Sequence, residues 1–182
     1  MSKYEIRFAG LGGQGIVRAG VIIGSAAALF GGKNAANSQS YGPEARGGAS
    51  KSEVIISDEE IDYPKVEEPD AMVLMSQEAY DKYAKDLKKG GVLIYDSDMV
   101  YDPKPIEGAR VYAIPATKIA EESGRKIVAN MVMIGALVAI TGAIDPSAAK
   151  RAIEMNVPKG TEELNIRAFE KGYEYALGLL RG

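Results

Sequence analysis

Two hydrophobic periods alternate along the chain, and the switches between them mark out its elements. Tyr4–Ala9 alternates charged and apolar side chains (Glu5, Ile6, Arg7, Phe8) before meeting glycine, the pattern of a half-buried strand entering a turn. From Ile16 to Phe30 the chain is rich in Ala, Ile and Val with Gly20, Gly24 and Ser25 interspersed, which predicts a helix lying close on a sheet. Lys33–Ser38 is a candidate short strand and Lys51–Ile56 another, while Gln39–Ser50 has no apolar period and reads as a structured loop. Asp58–Asp70 is acidic with two prolines and reads as a surface connection.

The second half repeats the alternation and then turns helical. Ala71–Met75 predicts a buried strand, Gln77–Leu87 an amphipathic helix stopped by Gly90-Gly91, and Val92–Tyr95 and Val111–Ile114 two further strands. Ala116–Glu122 predicts a short helix. The most apolar stretch, Ile127–Ile144, is broken by Gly135, Thr141 and Gly142 and carries Asn130, so it predicts a buried helix rather than a membrane span. Asp145-Pro146 supplies an N-cap and a first-turn proline for the next helix. In Glu162–Leu180, Phe169, Tyr173, Ala176, Leu177 and Leu180 fall on one face of a last helix. The expectation is one α/β domain over residues 1–182: three layers, a mostly parallel sheet with helices on both faces, and a helical C-terminal part.

Composition changes the picture mainly through what is missing. The sequence has no cysteine and no histidine, which removes disulfides, thiolate metal sites, cysteine-ligated clusters and the commonest general base. If this chain serves a redox reaction, the electrons travel elsewhere. A net charge of −3 speaks against a nucleic-acid partner. The opening MSKYEIRFAG has no apolar signal core, so the expectation is a cytoplasmic protein without a membrane partner. Basic residues gather in the first fifty positions (Lys3, Arg7, Arg18, Lys33, Arg46), a distribution that suits an anionic ligand.

Gly10-Leu11-Gly12-Gly13-Gln14-Gly15 lies between a strand and a helix, the context in which such a motif binds anions. Glycines let the backbone turn and approach a phosphate, and the helix N-terminus offers unpaired N–H groups. Three readings stand: a phosphate contact, glycines needed only for close packing, or an NAD(P) site. The last lacks its acidic residue, because the window Gly32–Asn37 contains no carboxylate and only Lys33 to offer a 2′-phosphate.

The densest polar stretch is Ser38–Ser50, where a Gly-Pro turn presents Tyr41, Glu44 and Arg46 ahead of Gly47-Gly48. Such a loop suits a ligand or subunit contact better than a plain connector. Together with Gly12-Gly13-Gln14-Gly15, the run Tyr41-Gly42-Pro43-Glu44 with Arg46-Gly47-Gly48, and then Ser52–Ser57, resembles the gamma subunits of 2-oxoacid:ferredoxin oxidoreductases. The resemblance continues through Pro69-Asp70, Asn130-Met131, Gly135-Ala136-Leu137, Asn165 and Ala168, and its second loop is most similar to the 2-oxoglutarate branch.

That resemblance implies a heteromeric enzyme that converts a 2-oxoacid and CoA to acyl-CoA and CO2 while reducing ferredoxin. It implies alpha and beta partners, possibly delta, with thiamine diphosphate and the iron–sulfur clusters on those chains. This chain is then inactive alone and has no catalytic residue of its own. Gly12, Gly13, Gln14, Gly15, Tyr41, Arg46, Gly47 and Asn130 become the candidate contacts to CoA. A free-standing NADP-dependent reductase and a non-enzymatic phosphate-ligand module are the competing functions. Blander roles also compete locally: Asn130 as a buried cap, the methionines at 72, 75, 131 and 133 as core, Tyr173 and Tyr175 as a core-and-surface pair, and Asp96 and Asp98 as turn residues.

Overall fold

A computed structural model describes residues 3–40 and 49–182. Its strands are β1 (Lys3–Leu11), β2 (Asn34–Ser40), β3 (Ala49–Ser57), β4 (Ala71–Leu74), β5 (Val92–Asp96) and β6 (Arg110–Ile114). Its helices are α1 (Ile16–Phe30), α2 (Gln77–Tyr83), α3 (Ala116–Glu122), α4 (Ala129–Thr141), α5 (Pro146–Asn156) and α6 (Glu162–Arg181). The six strands form one mixed sheet in the order β2-β3-β1-β4-β5-β6. β1, β4, β5 and β6 run parallel, whereas β3 lies antiparallel to both β1 and β2. The sequence's alternation of elements is thus an α/β domain with a helical C-terminal part.

The stretch read as a loop, Gln39–Ser50, gives up both ends to the sheet. Gln39 and Ser40 complete β2, and Ala49 and Ser50 begin β3, with Ser40 opposite Lys51. Small polar residues satisfy a ladder through their backbones without an apolar period, which is why the pattern hides them. The helix expected over Gln77–Leu87 is α2 followed by a 3-10 turn at Ala84–Asp86.

Alternation along β1 assigns its two faces. Ile6 and Phe8 join Val54, Val73, Ile94 and Ile114 in a large core under α1 and α3 to α6. Ala9, Met72, Leu74 and Leu93 face the other way, toward Tyr80 and Tyr83 of α2. Arg7 also points to that second face, only 3% exposed. Its Nε lies 2.7 Å from Glu53, its register partner on β3, and Nη1 lies 2.7 Å from Asp86 below α2. The guanidinium also sits 5.2 Å from the centre of the Tyr83 ring. A buried charge held this way fixes position, because losing one partner would strand the other.

α4 is apolar all round and buried from Ala129 to Val138, as a helix enclosed by the domain should be. Among the described residues no helix is long and apolar enough to cross a membrane. α6 covers α4 at very close range: a Cβ on Gly135 would lie 2.1 Å from the Phe169 carbonyl oxygen, and one on Gly172 would lie 1.9 Å from that of Val132. Phe169 and Ala176 face the core as expected, whereas Leu180 is 43% exposed. Tyr173 packs against the core and Tyr175 faces solvent, the core-and-surface pair. Met72, Met75, Met131 and Met133 are all buried core.

Candidate functional site

The connections leaving β1 and β4 go to opposite faces of the sheet, to α1 and α2, so a crevice opens beyond their carboxyl ends. The glycine loop fills that position. Gly13 (φ 88°) and Gly15 (φ 73°) take left-handed conformations that favour glycine, and Gly15 caps α1. The Gln14 side chain is turned inward. Its Oε1 accepts from the Leu11 N–H at 2.7 Å, and its Nε2 donates to the Met75 carbonyl at 2.8 Å, tying the ends of β1 and β4 together.

Close packing explains some of these glycines and not others. A Cβ on Gly10 would lie 2.4 Å from Gln14 Oε1, and one on Gly15 would lie 2.2 Å from Asn130 Nδ2. Gly12 has neither a positive φ nor any atom within 4 Å of a Cβ position. The fold therefore makes no demand for glycine at Gly12, so close packing does not account for it. Gly12 instead faces a cleft of about 650 Å³.

Three stretches wall this cleft: the glycine loop with the first turns of α1, the segment from Arg125 to Met131, and the α5–α6 junction from Asn156 to Asn165. Arg18 and Arg125 line it, and among the described residues no carboxylate does. In a chain of net charge −3 that is a local reversal of sign. The α1 N-terminus has no acidic residue in its first turn and, among the described residues, no side-chain cap, the kind of helix end at which unpaired N–H groups can meet an anion. Leu11, Ile16, Val21, Ile127 and Leu164 add apolar wall. The exposure of Val21 and Ile127, 36% and 62%, is that of wall residues. The cleft thus combines basic side chains at one part with apolar wall along another.

Gly12, Gly13, Gly15 and Asn130 of the predicted site meet at this cleft. Gln14 stands behind the loop and shapes it. Asn130 is 5% exposed and holds the loop too: Nδ2 donates to the Gly15 carbonyl at 3.3 Å, and Oδ1 accepts from the Met131 N–H at 3.0 Å. Tyr41, Arg46 and Gly47 lie outside the described residues; Ser50, just beyond that stretch, lines the cleft. The basic cluster of the first third does not converge as its spacing suggested. Lys3 pairs with Glu5, Arg7 with Glu53 and Asp86, and Lys33 with Asp58, leaving Arg18 as its described member at the cleft.

Arg125 was missed by sequence reasoning. Its one local signal is the preceding Gly124, whose φ of 128° swings the chain into the Arg125–Val128 turn ahead of α4. Asp96 and Asp98 serve the turn after β5. Asp96 accepts from Thr117 Oγ1 at 2.7 Å and from the Asp98 N–H at 3.0 Å, and Asp98 accepts from the Lys118 N–H at 2.8 Å. Burial pushes the Asp96 carboxyl above its ordinary value, partly offset by these hydrogen bonds.

Residues 5–175 match the pyruvate ferredoxin/flavodoxin oxidoreductase family. The chain is 58% identical over 96% of its length, and 94% of the relative's, to the 2-oxoglutarate synthase subunit KorC of Methanocaldococcus jannaschii. It superposes with a TM-score of 0.88 and 49% identity on the gamma subunit of the keto/oxoacid ferredoxin oxidoreductase of Geobacter sulfurreducens, covering 98% of each chain. The same TM-score, 0.88, relates it at 27% identity to a 2-oxoglutarate:ferredoxin oxidoreductase from Magnetococcus marinus solved with 2-oxoglutarate, coenzyme A and succinyl-CoA bound. There it covers 98% of its own length and 32% of the longer chain. The chain belongs to the pyruvate ferredoxin/flavodoxin oxidoreductase family, as a gamma subunit of the 2-oxoglutarate:ferredoxin oxidoreductase kind.

Proposed function

We propose that this subunit's part in the oxidoreductase is to receive coenzyme A in the cleft at the glycine loop. The observation that carries the reading is that Arg18 and Arg125 line a cleft that no carboxylate among the described residues lines, beside a Gly12 that the fold itself does not require. Coenzyme A is anionic at its phosphates and largely uncharged along its pantetheine arm, and the cleft has both kinds of wall. Charged donors and open backbone N–H groups hold the phosphates, while the apolar side chains exclude water along the arm. Asn130 and Gln14 keep the loop in shape, and the family resemblance keeps Tyr41, Arg46 and Gly47 as further candidate contacts. The coenzyme A named with the Magnetococcus marinus enzyme supports the choice of ligand.

In this reading the alpha and beta chains, with delta where it is separate, carry the thiamine diphosphate and the clusters that pass electrons to ferredoxin. The donor set fits this division: the chain has no cysteine, so it offers no thiolate to an iron–sulfur cluster. The reductase alternative has no acidic residue in its ribose window, and Lys33, its one basic residue, pairs at the surface with Asp58.

Kinetics of Arg18→Ala and Arg125→Ala in the assembled enzyme test the proposal. A lost hydrogen bond to a charged group costs roughly 1.5–3 kcal/mol, so KM for CoA should rise by about one to two powers of ten. KM for the 2-oxoacid should hardly move. Wild-type CoA dependence in both variants would sink the reading.

A further inference from the structure

β2 is an edge of the sheet, hydrogen-bonded to β3 on one side, and its outer row of backbone groups meets no strand among the described residues. Edge strands of soluble proteins are ordinarily guarded by a charge, a proline or a bulge. β2 has none of these. It reads Asn34-Ala35-Ala36-Asn37-Ser38-Gln39-Ser40, and its register with β3 runs unbroken from Asn34 opposite Ser57 to Ser40 opposite Lys51. The helix above this edge is equally bare of charge. Gly20 and Gly24 of α1 lie against Asn37, and the outer side of α1 presents Val21, Ser25, Ala28 and Leu29. Val21, which is also a wall of the cleft, is 36% exposed and Leu29 59%. From Ala19 to Ser40 the one charged side chain is Lys33, and it pairs with Asp58, in a sequence that is 26% charged.

We infer that β2 pairs antiparallel with β2 of a second copy of this chain, joining two sheets into one across a two-fold axis. An axis through Asn37 uses all seven residues of the strand: Asn37 lies opposite itself, Ala36 opposite Ser38, Ala35 opposite Gln39 and Asn34 opposite Ser40. No charge meets a like charge in that register. The helix decides the occupant. An extended segment of another protein would satisfy the strand and leave the α1 stripe in water. A second copy brings its own α1 to the same face of the joined sheet, so the stripe and the strand are covered together.

The chain has no cysteine, so Asn37→Cys places a single thiol of each copy at the axis. Opposite Cα atoms of an antiparallel pair lie about 4.5–5.5 Å apart, within the span of a disulfide. Mild oxidation of the assembled enzyme carrying Asn37→Cys should give a disulfide-linked pair of this subunit, at twice 19.4 kDa on a non-reducing gel. Lys104→Cys, exposed beside α2, should give no such pair. Sedimentation equilibrium of the purified chain supplies a second reading that keeps Asn37 intact. Wild type should dimerise, and Ser38→Lys or Ser38→Glu should each raise the dissociation constant by roughly tenfold or more, as like charges meet diagonally across the axis. Mixing the two variants should restore association, which damage to the fold would not allow. A wild-type chain that stays at 19.4 kDa overturns the pairing. So does an Asn37→Cys thiol that links to another subunit or to nothing, or a charge effect that mixing does not rescue.

Discussion

Asn130 and Gly15 touch across 115 residues of sequence, with the carboxamide nitrogen 3.3 Å from the glycine carbonyl and no room between them for a methyl group. Gly15→Ala would therefore suffer twice, from a left-handed φ of 73° and from a Cβ 2.2 Å from Asn130 Nδ2. We expect a loss of at least about 2 kcal/mol, read from urea midpoints of the purified chain. An unchanged midpoint would mean that the contact does not shape the loop.

Gly12→Ala should behave oppositely. Nothing lies within 4 Å of the added carbon, so the melting temperature should stay within a degree or two of wild type (about 0.5 kcal/mol). In the assembled enzyme the methyl group enters the cleft, and KM for CoA should rise. Loss of stability with normal CoA use would assign Gly12 to the fold after all.

The crossing of α4 and α6 makes a prediction of unusual sign. Glycine to alanine inside a helix ordinarily stabilises by about 1 kcal/mol. At Gly172 the new carbon would sit 1.9 Å from a backbone oxygen that cannot rotate away. Gly172→Ala should cost about 1–3 kcal/mol instead, and Gly135→Ala likewise. Denaturant unfolding that shows either variant to be more stable than wild type would mean that the helices are not held this close.

Asp96 predicts a pH dependence. Burial raises its folded pKa, so the native state holds the proton more tightly than the unfolded chain does. That contribution is complete below the ordinary aspartate value, about pH 4, and is lost as pH rises through the raised folded value. Asp96→Asn cannot titrate, so its stability relative to wild type should improve as pH climbs through that window. Parallel stability–pH curves for the two proteins would contradict the assignment.

Most of the fold is written in periodicities that a single sequence displays. The β1 alternation, the Asp145-Pro146 cap and the all-round apolar α4 need no partner to be recognised, and each lies where the pattern puts it. The ends of β2 and β3 escaped because small polar residues pair through backbone and leave no hydrophobic trace. The site was legible only at its loop. Arg18 looked like one of several basic residues, and nothing local separates it from Arg7 or Lys33, whose carboxylate partners come from distant strands and connections. Arg125 reaches the cleft because α4 is docked, which is tertiary information.

The fasteners of the glycine loop carry a further consequence for the order in which the protein can be made. Gln14 finds its Met75 partner 61 residues downstream and Gly15 finds Asn130 after 115. During synthesis the motif emerges early, yet its tie to Met75 waits for 61 further residues and its tie to Asn130 for 115. A fragment ending before Met75 would contain every glycine of the loop and neither of those ties. The final shape of the loop thus arrives late in the life of the nascent chain, after the helix that carries Asn130 has taken its place.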